Sequence, residues 1–160
     1  MDYQSSDNVE VALIQHQLLR CNAEAKIKPS PDMGGHIEIS INVDIPKKPS
    51  ILNKDDVFAI SVQIGVTGKV KDTKDIAFNV SCEMEGSFRL INCDDKGVPV
   101  NNGLNLWILS TRQLFPLVAQ YTTDLVSRLG FKNINIPTFV PSQFLLRPKP
   151  VKKASTKNKK

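Results

Sequence analysis

Four stretches of the chain alternate apolar and polar residues with a period of two. Ile37, Ile39, Ile41, Val43 and Ile45 alternate with Glu38, Ser40, Asn42 and Asp44; Phe58, Ile60, Val62, Ile64 and Val66 alternate with Ala59, Ser61, Gln63 and Gly65. Ile76, Phe78, Val80, Cys82 and Met84 alternate with Ala77, Asn79, Ser81 and Glu83, and Leu19, Cys21, Ala23, Ala25 and Ile27 with Arg20, Asn22, Glu24 and Lys26. Strand side chains point to opposite faces in turn, so each stretch predicts a strand with one buried and one wet face. The links at 46–49, with its acidic follow-on, and at 71–75 leave no room for a crossover helix, which predicts an antiparallel sheet. Gly86 breaks or bulges the last strand before Phe88 and Leu90. Residues 28–35 form a loop by their prolines and glycines. Val9, Leu13, Ile14 and Gln17 carry the spacing of a short helix.

The pattern changes period at 114–131. Leu114, Val118, Tyr121, Leu125 and Leu129 fall at steps of three and four, one apolar stripe of a helix. Pro116 suits its first turn, where a missing N–H costs nothing, and Gly130 is a left-handed stop. Leu117 and Val126 flank the stripe and leave only Gln120, Thr123, Asp124 and Ser127 as a polar face. An arc that wide predicts a helix covered from two sides, by its own sheet and by another subunit. Residues 104–109 read as a short helical turn leading into it. Residues 131–137 are extended, Phe139, Phe144, Leu145 and Leu146 form a further apolar segment, and the chain ends in a basic tail. The sum is an α+β domain: a four-stranded antiparallel sheet with one long helix and short helical segments packed on one face. Its parts are an N-terminal segment at 1–17, the domain at 18–146 and a disordered tail at 147–160.

Composition changes this picture in one respect. The 160 residues carry a net charge of +5, but seven Lys or Arg lie at 147–160 with no acid among them. The rest holds 14 basic against 16 acidic residues, so the body is mildly acidic and the basic character belongs to the tail. That distribution argues against a nucleic-acid-binding domain. Cys21, Cys82 and Cys93 show no C-x-x-C spacing and read as reduced core thiols in a reducing, cytoplasmic setting. A polar, acidic N-terminus and the lack of a long apolar run speak against a signal peptide or membrane insertion.

Sites of chemistry are scarce. No phosphate-binding glycine loop, His-Glu-x-x-His or nucleophile elbow occurs. His16 and His36 have no metal-ligand spacing to a cysteine, and Asp55-Asp56 and Asp94-Asp95 read as solvated turn acids. No catalytic residue, metal ligand or cofactor is assigned, and the chain does not read as an enzyme.

In their order these residues resemble the SecB family of bacterial export chaperones and its SecB-like relatives. The resemblance rests on Leu114-Phe115-Pro116, a helix ending Leu125-Val126-Ser127-Arg128, then Gly130-Phe131 and Asn133-Ile134-Asn135-Ile136-Pro137. It is supported upstream by 57–62 and by the run from Phe78 to Phe88 with its glycine. It implies a homotetramer, a dimer of dimers, with first strands paired across one interface and main helices sandwiched between sheets. Leu19, Cys21, Ala23, Leu117, Val118, Leu125 and Val126 are then the interface residues. The implied activity is ATP-independent capture of unfolded polypeptide in long hydrophobic grooves. Met33, Phe88, Tyr121, Phe139, Phe144, Leu145 and Leu146 are the groove candidates, with ordinary core or subunit contact as the competing role, the stronger one for Tyr121. The chain departs from the family at Asn22 and Lys26, where acids are expected, in the loop at 28–35, which lacks aromatics, and in its basic tail and shortened final helix. Those departures leave the translocase motor unassigned as a partner and favour a dedicated client, such as an antitoxin, beside preprotein. Two other readings differ in class: a nucleic-acid-associated protein acting through its tail, and a closed small-ligand or structural domain.

Overall fold

The computed structural model describes residues 9–45, 51–99 and 104–138. The alternating stretches become strands β1 (Glu10–Ala25), β2 (Gly35–Asp44), β4 (Val57–Val70) and β5 (Ile76–Asn92), joined as one antiparallel sheet in the order β1-β5-β4-β2. A two-residue ladder, β3 (Ile51–Leu52) with β6 (Val98–Pro99), lies apart from it. The helix α1 (Leu104–Arg128) packs across β1, β5 and β4. This is the α+β architecture expected from the sequence.

The two central strands hold the core. Phe58, Ile60, Val62, Ile64 and Val66 of β4 and Phe78, Val80, Cys82, Met84, Phe88 and Leu90 of β5 are all buried on the helix side. The apolar residues of the edge strand β2 are only half-buried. The turn between β4 and β5 closes through Lys74 N–H to Val70 O and Val70 N–H to Asp75 O, at 3.0 and 2.9 Å, with Lys74 in the left-handed region at φ 60°.

The first strand corrects the sequence reading. Residues 9–17 form no short helix; a single strand starts at Glu10 and runs to Ala25. The register on β5 slips between Leu13 and Gln15 and again between Leu18 and Arg20, so Ile14 and Leu19 are bulged out. Each bulge inserts one residue and reverses which face the following residues meet. The reversal at Ile14 disrupts the period of two within 9–17 and mimics the three-and-four spacing of a helix.

The helix is also longer than expected, 25 residues, or about 37 Å at 1.5 Å per residue. Pro116 lies inside it rather than at its start. An interior proline costs about 3 kcal/mol because it removes one helical hydrogen bond and crowds the preceding turn. The carbonyl that loses its donor belongs to exposed Arg112, and burial of Leu114, Phe115 and Val118 around the proline offsets the loss. The sheet-facing stripe is rotated from the expected one: Leu106, Ser110, Leu114, Val118, Thr122 and Val126 are buried at steps of four. Ser110 and Thr122 donate their hydroxyls to the carbonyls of Leu106 and Val118 at 2.8 and 2.7 Å, which lets both face the core. Leu117, Tyr121 and Leu125 form a separate line, in which Leu117 and Leu125 are half-buried against the core and Tyr121 is exposed. Gly130, at φ 93°, ends the helix as read from the sequence, its N–H bonded to Ser127 O at 3.0 Å.

Candidate functional site: a cleft at the end of the sheet

A cleft of about 790 Å³ opens beneath the loop that joins β1 to β2. Its apolar lining comes from Pro29 and Met33 of the loop, Ile37 of β2, Phe78 of β5, and Phe131 and Ile134 beyond the helix. The loop is fixed at its root, where the N–H groups of Lys26 and Ile27 both donate to Ala77 O at 2.8 and 3.1 Å. At its far end Lys71 N–H donates to Gly34 O at 3.1 Å.

Two glycines shape the cleft. Gly68 stands directly opposite Phe78, and a Cβ placed there would lie 2.2 Å from the Phe78 ring. The ring therefore lies over the glycine and meets Phe131 with centroids 4.6 Å apart and a 42° tilt. Gly130 needs its positive φ, and a Cβ there would lie 2.8 Å from Pro29 Cγ. Its bare backbone lets the loop close against the segment after the helix. Polar groups sit on the rim: His36, Lys69 and Lys132 line it, and Lys69 Nζ contacts Glu38 Oε1 at 2.6 Å. The hydrogen bond from Lys69 holds the exposed Glu38 carboxyl below its ordinary range, with the nearby charges of Lys69 and His36 adding to the effect.

The predicted groove residues separate in the structure. Met33 lines the cleft. Phe88 does not; it is fully buried in the core, its ring stacked on Phe58 at 5.7 Å, because β4 and β5 place the two opposite each other under the helix. Tyr121 is exposed on the outer line of the helix and is not part of the cleft lining. Phe139, Phe144, Leu145 and Leu146 lie outside the described residues. Of the predicted interface residues, Leu19, Cys21 and Ala23 are exposed on the edge strand and Leu117 and Leu125 are half-buried. Val118 and Val126 are corrected: both are buried against their own sheet and offer no surface to a partner.

Sequence reasoning missed Phe78 and Phe131 as cleft walls, although the glycines that admit them were visible. It also missed Gln113, whose carboxamide accepts from Leu13 N–H at 2.9 Å and donates to Val11 O at 2.7 Å. One side chain thereby occupies two backbone groups on the open edge of β1. Among the described residues no three His, Cys, Asp or Glu come together as a metal site, and no helix is long and apolar enough to cross a membrane.

A helix laid on one face of an open antiparallel sheet, with an uncovered edge strand and a cleft lined in part by main chain, places the chain in the class of two-layer α+β proteins. Residues 26–140 match the family described as SecB, preprotein translocase subunit SecB, and the chain belongs to that family. A curated relative, the protein-export protein SecB of Ruegeria pomeroyi, is 25% identical over 117 residues, 72% of this chain and 65% of that protein. The chain thus spans about two thirds of the length of the curated relative it matches. Among solved structures, the Mycobacterium tuberculosis SecB-like chaperone Rv1957, in complex with a ChAD peptide from the Rv1956 HigA1 antitoxin, shares the fold at a TM-score of 0.58. That pair is 18% identical, over 79% of this chain and 89% of the other.

Proposed function

We propose that this protein is an ATP-independent chaperone that holds non-native polypeptide in the cleft between Met33, Phe78 and Phe131. The observation that carries the reading is the cleft itself, where half-buried Met33, Ile37 and Ile134 stand around the buried rings of Phe78 and Phe131 at the end of the sheet. Ordering a client costs about 1–2 kcal/mol per residue, and each large apolar side chain buried returns about 1.5–3 kcal/mol. A micromolar grip needs about 8 kcal/mol net, so the cleft serves as one station along a longer path. The working unit in this proposal is a homotetramer, a dimer of dimers. Ile14, Leu18 and Leu19 on β1 and Tyr121 on the helix are large apolar residues left exposed by a single subunit. A second copy pairing with the open edge of β1 would cover the strand, and opposed helices would cover the line through Leu117, Tyr121 and Leu125.

A dedicated client of the antitoxin type fits better than general export. Three carboxylates on the wet side of the sheet and its margin are already paired: Glu83 with Arg20 at 2.6 Å, Glu24 with Lys26 at 2.5 Å and Glu38 with Lys69 at 2.6 Å. Paired acids leave less uncompensated charge for engaging a translocase motor. The test is light scattering on the full chain, alone and with a chemically unfolded client. A tetramer mass and suppressed aggregation are expected, with Met33→Asp weakening suppression at unchanged mass. A monomer that leaves aggregation untouched would sink the proposal.

A further inference from the structure

Cys21 and Cys82 face each other across the β1–β5 ladder. The kind of pair they form follows from a neighbour in the same register. Lys26 N–H donates to Ala77 O, which makes the aligned pair Ala25↔Phe78 a non-hydrogen-bonded one. No register shift intervenes between Cys21 and Ala25, and pair types alternate along an antiparallel ladder, so Cys21↔Cys82 is also non-hydrogen-bonded. Such pairs bring Cα atoms to about 4.5 Å with the side chains on one face, inside the span a disulfide bridges.

The two thiols differ in setting. Cys82 is fully buried and Cys21 is exposed. Burial pushes the Cys82 thiol up, opposed by a hydrogen bond with Thr122 and reinforced by Cys21 nearby. Cys93 is half-buried beyond the end of β5, where no β1 residue is paired with it.

We propose that Cys21 and Cys82 form a reversible disulfide within one subunit, fastening the uncovered half of the edge strand to the sheet. From Arg20 to Ala25 every residue of β1 is exposed, and this half follows the second bulge. It is held by its ladder and by the Arg20–Glu83 ion pair. The oxidant is a small-molecule disulfide. The exposed Cys21 thiolate attacks one of its sulfurs and expels a small thiolate, leaving a mixed disulfide on Cys21. Cys82 loses its proton to solvent and attacks Cys21 Sγ, expelling the second small thiolate. Two protein thiols are oxidised and one small disulfide is reduced to two thiols. The bond lies on the face of the sheet, so it leaves the outer edge of β1 free to pair with another copy.

The three cysteines fall in separate tryptic peptides, 21–26, 75–89 and 90–96, which makes the test direct. The full chain is equilibrated with oxidised glutathione, alkylated and digested. Peptides 21–26 and 75–89 should appear linked, with alkylation lost at both cysteines and retained at Cys93. In Cys82→Ser, Cys21 should accumulate as the glutathione mixed disulfide. Amide exchange at 20–25 in the oxidised protein should slow by about tenfold. Alkylation of both cysteines, a stable mixed disulfide on wild-type Cys21, a Cys21–Cys21 link between copies, or a link to Cys93 would each overturn the proposal. Unchanged exchange at 20–25 would overturn its fastening role.

Discussion

Replacing Gly68 by alanine adds one methyl group where the structure leaves no room for it. The new Cβ would sit 2.2, 2.6 and 2.7 Å from three carbons of the Phe78 ring. Phe78 is 1% exposed and lies within the core, so the ring cannot swing freely away. Overpacking of this kind costs about 1–3 kcal/mol, and losing the contact with Phe131 removes about 0.5–1.5 kcal/mol more. Alanine returns about 0.5–1 kcal/mol by restricting the unfolded chain. The balance is a loss of about 0.5–4 kcal/mol, read as a lower urea midpoint at fixed protein concentration. Because the displaced ring is a cleft wall, client holding should weaken as well. The double variant Gly68→Ala, Phe78→Leu should be more stable than the sum of its single changes predicts, since the smaller side chain leaves space for the methyl. An alanine variant as stable as the parent, or two effects that simply add, would refute this account of the cleft.

Removing the Gln113 carboxamide by Gln113→Ala strips two hydrogen bonds from the open edge of β1, a loss of about 1–2 kcal/mol that should appear as faster amide exchange at Leu13 than at Val62. Gln113→Glu keeps the acceptor for Leu13 N–H but places a carboxylate against Val11 O, so it should not restore full protection. The buried Cys82 thiol makes stability depend on alkaline pH. Its folded pKa is raised above the unfolded one, so the contribution is whole below the ordinary thiol range and is lost as pH rises through the folded value. Urea midpoints of the reduced protein should therefore fall above about pH 8.5, and Cys82→Ala should flatten that slope; an unchanged slope would count against it.

The inner strands were legible because nothing interrupts their alternation: from Phe58 to Val66 each second residue is apolar, and each of those is buried. The first strand was hidden by Ile14 and Leu19, whose bulges move its residues out of phase. The helix stripe was misjudged because Ser110, Thr111 and Thr122 count as polar on paper, yet all three are buried in the structure. Pro116 misled in the same way, since a local rule places it at a helix start while tertiary packing holds it in the middle. The cleft was harder still. Met33 is recognisable as an apolar residue in a glycine-rich loop, but Phe78 becomes a wall only through Gly68 opposite it, a relation set by strand register. Phe88, with the same composition and period, has β4's Phe58 opposite it instead and goes to the core.

The cleft follows from one feature of the topology. β1 and β2 are consecutive along the chain but stand at opposite edges of the sheet, with β5 and β4 between them. Three strand spacings of about 4.8 Å oblige the connecting loop to cross about 14 Å over the sheet's end. A loop that long cannot bury its own backbone, so it needs supports. It finds them at Ala77 O on one side and at the Lys71 N–H on the other, and it arches between them. The space under the arch is filled partly by Phe131, brought there by the sharp stop at Gly130, and partly by Phe78 lying over Gly68. What remains unfilled has a mixed lining, with Met33, Ile37 and Ile134 beside Ser30, His36, Lys69 and Asn133. In the proposed assembly, self-association would use the other open surfaces, the edge of β1 and the outer line of the helix, and would leave the space under the arch uncovered. In this fold the edge order of the strands, more than any single residue, creates the space in which an unfolded client could be held.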